Sequence, residues 1–382
     1  MSKSFKVTIK RELYEWAIDE SGKSFDEVKE TFNKIDKWII GEDSPTFKQL
    51  EKLGNFLKVP YGLLLLKEPP PNELNNEKFR TIRNKIPHLS KNLKDTLKNM
   101  NTKVDWLSDY RKENGYGIIK LLNIFKSKKT LSISEYVAFL KKQMDIGEYW
   151  YKECNSNDDA FKYLRDKIEN AGIIVMQSGI VGSHTKAPLD IHEFRAFMIF
   201  DEFAPLIFIN AKDSAAGKIF SLIHELFHIL FEMPDIVTGY NNSGEETRIN
   251  KLTSEFLFPK EHILANWQNN NDSDEEKIQE LSKLFKVSEY ALSIKLYELG
   301  FIDSSTLEKI KNKSLKFFEE RLQNKSSGGN YANTIKSRVS VSFREEVIAA
   351  VEKRELSYTE AFRLLDGSEN AFNIFSEKGA AL

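Results

Sequence analysis

Residues 219–231 read Ile219-Phe220-Ser221-Leu222-Ile223-His224-Glu225-Leu226-Phe227-His228-Ile229-Leu230-Phe231. Apolar residues at helical spacing surround the two histidines, which predicts a buried helix whose polar groups need partners. Asp213 or Ser214 supplies its N-cap. On such a helix His224 and His228, four apart, lie one above the other and can turn both imidazoles to one point. Imidazole nitrogen suits zinc, and a catalytic zinc takes three protein ligands and keeps one position for water. Glu225 follows His224, where its carboxylate can reach that water and take its proton.

The third ligand has to come from another segment. Downstream, Glu246 and Asn250 are also four apart and share one helical face. Glu246 is the candidate ligand, and Asn250 is placed to hydrogen-bond a ligand histidine from behind. Glu245 could replace Glu246, and Glu255 is a further candidate. Tyr240, between the two segments, is a candidate donor to an oxyanion. His184 and His192 read as loop histidines.

These residues resemble the ImmA/IrrE family of metallopeptidases. That family pairs a Phe-Thr-Leu-x-His-Glu-x-x-His helix with a later Glu-x-x-x-Asn helix ending at Leu-Met-Pro. The counterparts are Phe220 to His228, Glu246 to Asn250, and Leu257-Phe258-Pro259. Upstream, Glu193-Phe194-Arg195 and Ala204-Pro205-Leu206-Ile207-Phe208-Ile209-Asn210 look like the family's strand pair. Two departures stand out: Phe227, where the family has a small residue, and Arg248-Ile249-Asn250 in place of an acidic-Ala-Asn run. Arg248 marks either a surface position or a drifted site. The resemblance implies a zincin-like core, a Zn2+ cofactor, and regulatory cleavage of a repressor-like or antitoxin-like protein.

The rest of the chain sets the context. Its 382 residues are long enough for two or three domains. Lys plus Arg (56) and Asp plus Glu (57) nearly cancel, so global charge points to neither nucleic acid nor membrane. The one cysteine, Cys154, excludes an intrachain disulfide framework and a cysteine-based zinc site, and fits a reducing, cytoplasmic setting. No basic-then-apolar leader opens the sequence, and the apolar run at 63–66 is too short for a bilayer. The expected class is mainly α with a small β-sheet (α+β), a zincin-like metallopeptidase core flanked by helical domains.

Four parts are expected. Residues 1–67 read as four short helices and resemble an XRE-type helix-turn-helix domain, with Trp38 and Gly41 as its Trp-x-x-Gly step and Pro45-Thr46 opening the next helix. The stretch from Phe32 to Trp38 is short for that pattern, which truncates the third helix. With 12 Lys and Arg against 11 Asp and Glu over 1–67, there is no basic stripe, and Lys34 and Lys37 are the candidate DNA contacts. A module for protein contact is the equal alternative. A proline-rich linker at 67–72 leads to a helical connecting region, 72–170. The metallopeptidase domain with a helical extension covers 171–318. After a linker at 325–330, a small C-terminal module, 331–382, opens with Val339, Val341 and Phe343 in alternation. The rival to a peptidase is a DNA-binding regulator or antitoxin with a vestigial zinc domain and a neighbouring toxin as partner.

Overall fold

The computed structural model describes residues 6–70, 89–126, 131–231, 243–267, 273–323 and 331–376. Tyr240, His88, Pro71 and Asn72 of the first linker, and the whole second linker lie outside these residues. Among the described residues the chain is mainly helical with a small mixed sheet, as its patterning predicts. None of the described helices is long and apolar enough to cross a membrane. The chain forms two compact units, Met1–Met100 with His184–Pro188, and Asn101–Ser183 with Leu189–Leu382.

The first unit is built on the helices Arg11–Ser21, Phe25–Thr31, Ile35–Ile39 and Phe47–Leu57. Capping boxes start two of them, Ser24 with Glu27 and Thr46 with Gln49. Leu13, Val28, Trp38, Leu50 and Leu53 meet in their core. Gly22 ends the first helix at φ 68°, and a Cβ there would meet the backbone of 89–91. The third helix has only five residues. Within this unit the first turns of the helix Lys91–Glu113 hold the end of the first: Lys98 Nζ lies 2.7 Å and Lys91 Nζ 3.3 Å from Glu20 Oε1, and Lys94 Nζ is 3.0 Å from Asp19 Oδ2.

The second unit is organised around three strands. Leu206–Asn210 is central, parallel to Ile174–Ser178 and antiparallel to Ala196–Ile199. All five residues of the central strand are buried, so no face alternates to solvent. The helix Ala215–Phe231 follows directly and packs on the sheet. Ser214 is its N-cap, accepting from Gly217 N–H at 2.9 Å. Asp213, the other candidate, is instead buried in an ion pair with Arg195 Nη1 at 2.9 Å, its carboxylate filling the space a Cβ on Gly217 would take. The helices Ser243–Leu257, Ile133–Gln143 and Asn157–Asn170 complete the surround.

The last helices, Tyr331–Arg338, Val341–Glu352, Tyr358–Leu364 and Glu369–Ser376, are part of this unit. The alternation of Val339, Val341 and Phe343 is not a strand. Ser340 caps a new helix there by accepting from Phe343 N–H, and Val341 is exposed. Buried polar groups close the helix ends. Arg165 Nη1 and Gln177 Nε2 both donate to Ser337 O, at 2.7 and 3.0 Å. Glu169 accepts from Val341 N–H at 2.8 Å, and Lys103 Nζ donates to Leu364 O at 2.6 Å. These satisfy carbonyls and amides that a helix terminus leaves open. Arg111 donates to Phe203 O and forms a forked pair with Glu346, whose side chains are 6 % and 18 % exposed. Arg111→Met is expected to strand that carboxylate and cost about 3–5 kcal/mol, read as a lower urea midpoint with an unchanged slope.

Candidate metal centre

The site is made by two helices. His224 and His228 stand one turn apart on Ala215–Phe231, and Glu246 sits in the first half of Ser243–Leu257. The imidazoles face each other through Nε2, 3.1 Å apart, with ring centroids at 4.8 Å. Glu246 closes the triangle with one oxygen to each ring: Oε1 is 3.2 Å from His224 Nε2 and Oε2 is 3.4 Å from His228 Nε2. Among the described residues these three alone form a group of candidate metal donors.

The donor set fits a small divalent ion. Ligand bonds of about 2.0–2.1 Å at a tetrahedral angle put donor atoms roughly 3.3 Å apart, close to all three separations. The histidine side chains are largely buried, whereas that of Glu246 is 36 % exposed, which leaves solvent an approach from the carboxylate side. Two imidazole nitrogens and a carboxylate, without sulfur, make a three-donor set that suits a divalent ion.

The arrangement separates the candidates for third ligand. Glu245 is exposed and outside the group. Glu255 is buried but engaged by Lys295 Nζ at 3.0 Å. Glu225 is 8 % exposed, and no hydrogen bond or ion pair holds its carboxylate among the described residues. Asn250 is exposed and makes no hydrogen bond to either histidine, so the contact expected of it is absent. The reason is visible along its helix: the row that buries Ile249 and Leu252 turns Asn250 outward. His224 Nδ1 is buried without a hydrogen-bond partner among the described residues, and its ring instead stacks on Phe220 with centroids 6.1 Å apart.

Other residues resolve differently from their sequence context. Arg248 does not enter the donor group; its guanidinium lies 4.9 Å over the Phe231 ring. Lys34 Nζ is 3.7 Å from Asp43, and Lys37 is exposed. His184 and His192 are exposed, the latter edge-on to Phe318. His262, which sequence reasoning passed over, is a satisfied core histidine: Tyr151 Oη lies 3.0 Å from Nδ1 and Glu148 Oε1 3.1 Å from Nε2.

Neither curated proteins nor solved structures give a match to the chain. The family model of the IrrE N-terminal-like domain, Peptidase_M78, matches residues 169–297. That span carries the three strands, both histidines and Glu246, so this part of the chain is similar to the IrrE N-terminal-like domain of that peptidase family.

Proposed function

We infer that the second unit is a zinc-dependent endopeptidase of regulatory type. The observation that carries this reading is the convergence of His224, His228 and Glu246 on one point, beside a buried carboxylate with no structural partner among the described residues. His224, His228 and Glu246 would hold the ion. Bound there, zinc supplies Lewis acidity toward a peptide carbonyl and toward water. Glu225 accepts the proton of the attacking water and returns it to the leaving amine nitrogen.

An extended peptide is the substrate form the fold suits. Among the described residues no other strand pairs with the far side of Ala196–Ile199. The opposite edge, Ile174–Ser178, has Tyr331–Arg338 packed against it through Gln177 and Ser337. An open strand beside the metal helix can take a substrate backbone by strand addition. The proposed substrate is a specific repressor-like or antitoxin-like protein, in keeping with a cytoplasmic regulatory role.

The first unit is proposed to recruit a protein rather than read DNA. A five-residue third helix leaves little to insert in a major groove, and Lys34 and Lys29 are each paired with an aspartate. A gel shift on the chain's own promoter distinguishes this from the DNA-binding alternative. For the peptidase reading, purified protein is expected to carry about one zinc per chain and to cleave a partner encoded beside it. A chelator should stop cleavage and zinc should restore it. Cleavage that survives complete removal of metal would sink the reading.

A further inference from the structure

Arg248 belongs to one of the two departures from the resembled pattern, and its surroundings assign it work. The helix Ser243–Leu257 carries Glu246, and Arg248 projects from it onto Phe231, the last residue of the histidine helix. The Phe231 ring is also stacked by Tyr136, with centroids 5.2 Å apart and an interplanar angle of 15°. Tyr136 also meets Phe227, centroids 6.1 Å apart. Phe231 therefore carries two stacked contacts, one layer from the guanidinium and one from the phenol ring. The cation lies over the face of the ring and at the C-terminal end of the histidine helix, where a positive charge is doubly favoured.

Tyr136 belongs to the helix Ile133–Gln143, which precedes the matched residues 169–297. The same helix reaches the far end of the Glu246 helix, where Lys141 Nζ lies 4.9 Å over Phe256. One helix outside the matched domain thus touches both helices of the metal centre, the histidine helix through Tyr136 and the carboxylate helix through Lys141. Glu246 and the two histidines stand on different helices, so the place of Glu246 in the site depends on how these helices pack.

We propose that the Arg248–Phe231–Tyr136 stack is a positioning device that sets the place of Glu246 in the metal centre, and so the affinity of the site for its ion. The proposal rests on the reading of His224, His228 and Glu246 as metal ligands.

The test is the zinc dissociation constant of the full chain, measured by competition with a chromophoric chelator. Arg248→Met and Tyr136→Leu each remove one layer and are expected to weaken zinc binding about ten-fold, as changes that loosen a ligand's support do. Arg248→Lys and Tyr136→Phe keep cation and ring and should stay near the wild type. Val347→Ala, a buried truncation in Val341–Glu352, serves as a control that lowers melting temperature without touching the stack. Unchanged affinity in Arg248→Met or Tyr136→Leu overturns the proposal. So does an equal loss of affinity in Val347→Ala, which would make the effect one of general stability. If the wild type takes up no zinc, the ligand assignment fails first and the stack loses its role with it.

Discussion

Glu225→Gln is expected to keep its fold and its metal while hydrolysis falls by about 10²–10⁴-fold, the usual worth of a positioned acid–base group. The reasoning starts from what Glu225 does not do. Its side chain is buried, yet no hydrogen bond or ion pair engages it among the described residues. A buried carboxylate without a structural partner costs stability unless it serves another end. The amide has nearly the same shape, so the swap removes a proton acceptor and little else. Melting temperature should match or exceed the wild type, zinc content should be unchanged, and the loss should appear in kcat. Retained turnover would mean that a different group takes the proton, and an unchanged biological output would mean that the chain does not act by cleavage.

The parts of the site legible in the sequence are those fixed by local periodicity. The histidine pair, the adjacent glutamate and the N-cap choice of Asp213 or Ser214 all follow from a helix whose apolar pattern is dense over 219–231. Glu246 was reachable by the same spacing, although its preference over Glu255 depends on Lys295, which only the folded chain brings to Glu255. The remainder was hidden because its partners are distant in sequence. Lys103 and Arg111 sit on a helix that reads as long and charged, and such charges usually face water. Here they are buried, because a helix C-terminal carbonyl at Leu364 and the carbonyl of Phe203 accept from them. Asn250 shows the opposite: its spacing suits a contact behind a histidine, while burial of the neighbouring Ile249 and Leu252 sets the helix at a rotation that leaves Asn250 exposed. Arg248 reads in the sequence as a surface position or a drifted site, and its place over Phe231 depends on a ring that Tyr136, distant in sequence, also stacks on.

Replacing the carboxylate ligand should have the other large effect. Glu246→Gln is expected to weaken zinc binding by more than the roughly 10–100-fold that follows from disturbing a ligand's support. The amide loses the negative charge that offsets the ion and can offer only one oxygen, whereas both carboxylate oxygens now face an imidazole. Glu245→Gln, one residue away and exposed, is the matched control and should bind zinc as the wild type does. The difference is also readable as stability. Zinc at about a hundred times its dissociation constant stabilises the folded chain by roughly 2.7 kcal/mol, a gain the wild type and Glu245→Gln should show and Glu246→Gln should not. Should Glu245→Gln lose the ion while Glu246→Gln keeps it, the carboxylate that closes the triangle with His224 and His228 is the wrong one, and the chemistry assigned to this pair of helices has to be rebuilt from its neighbour.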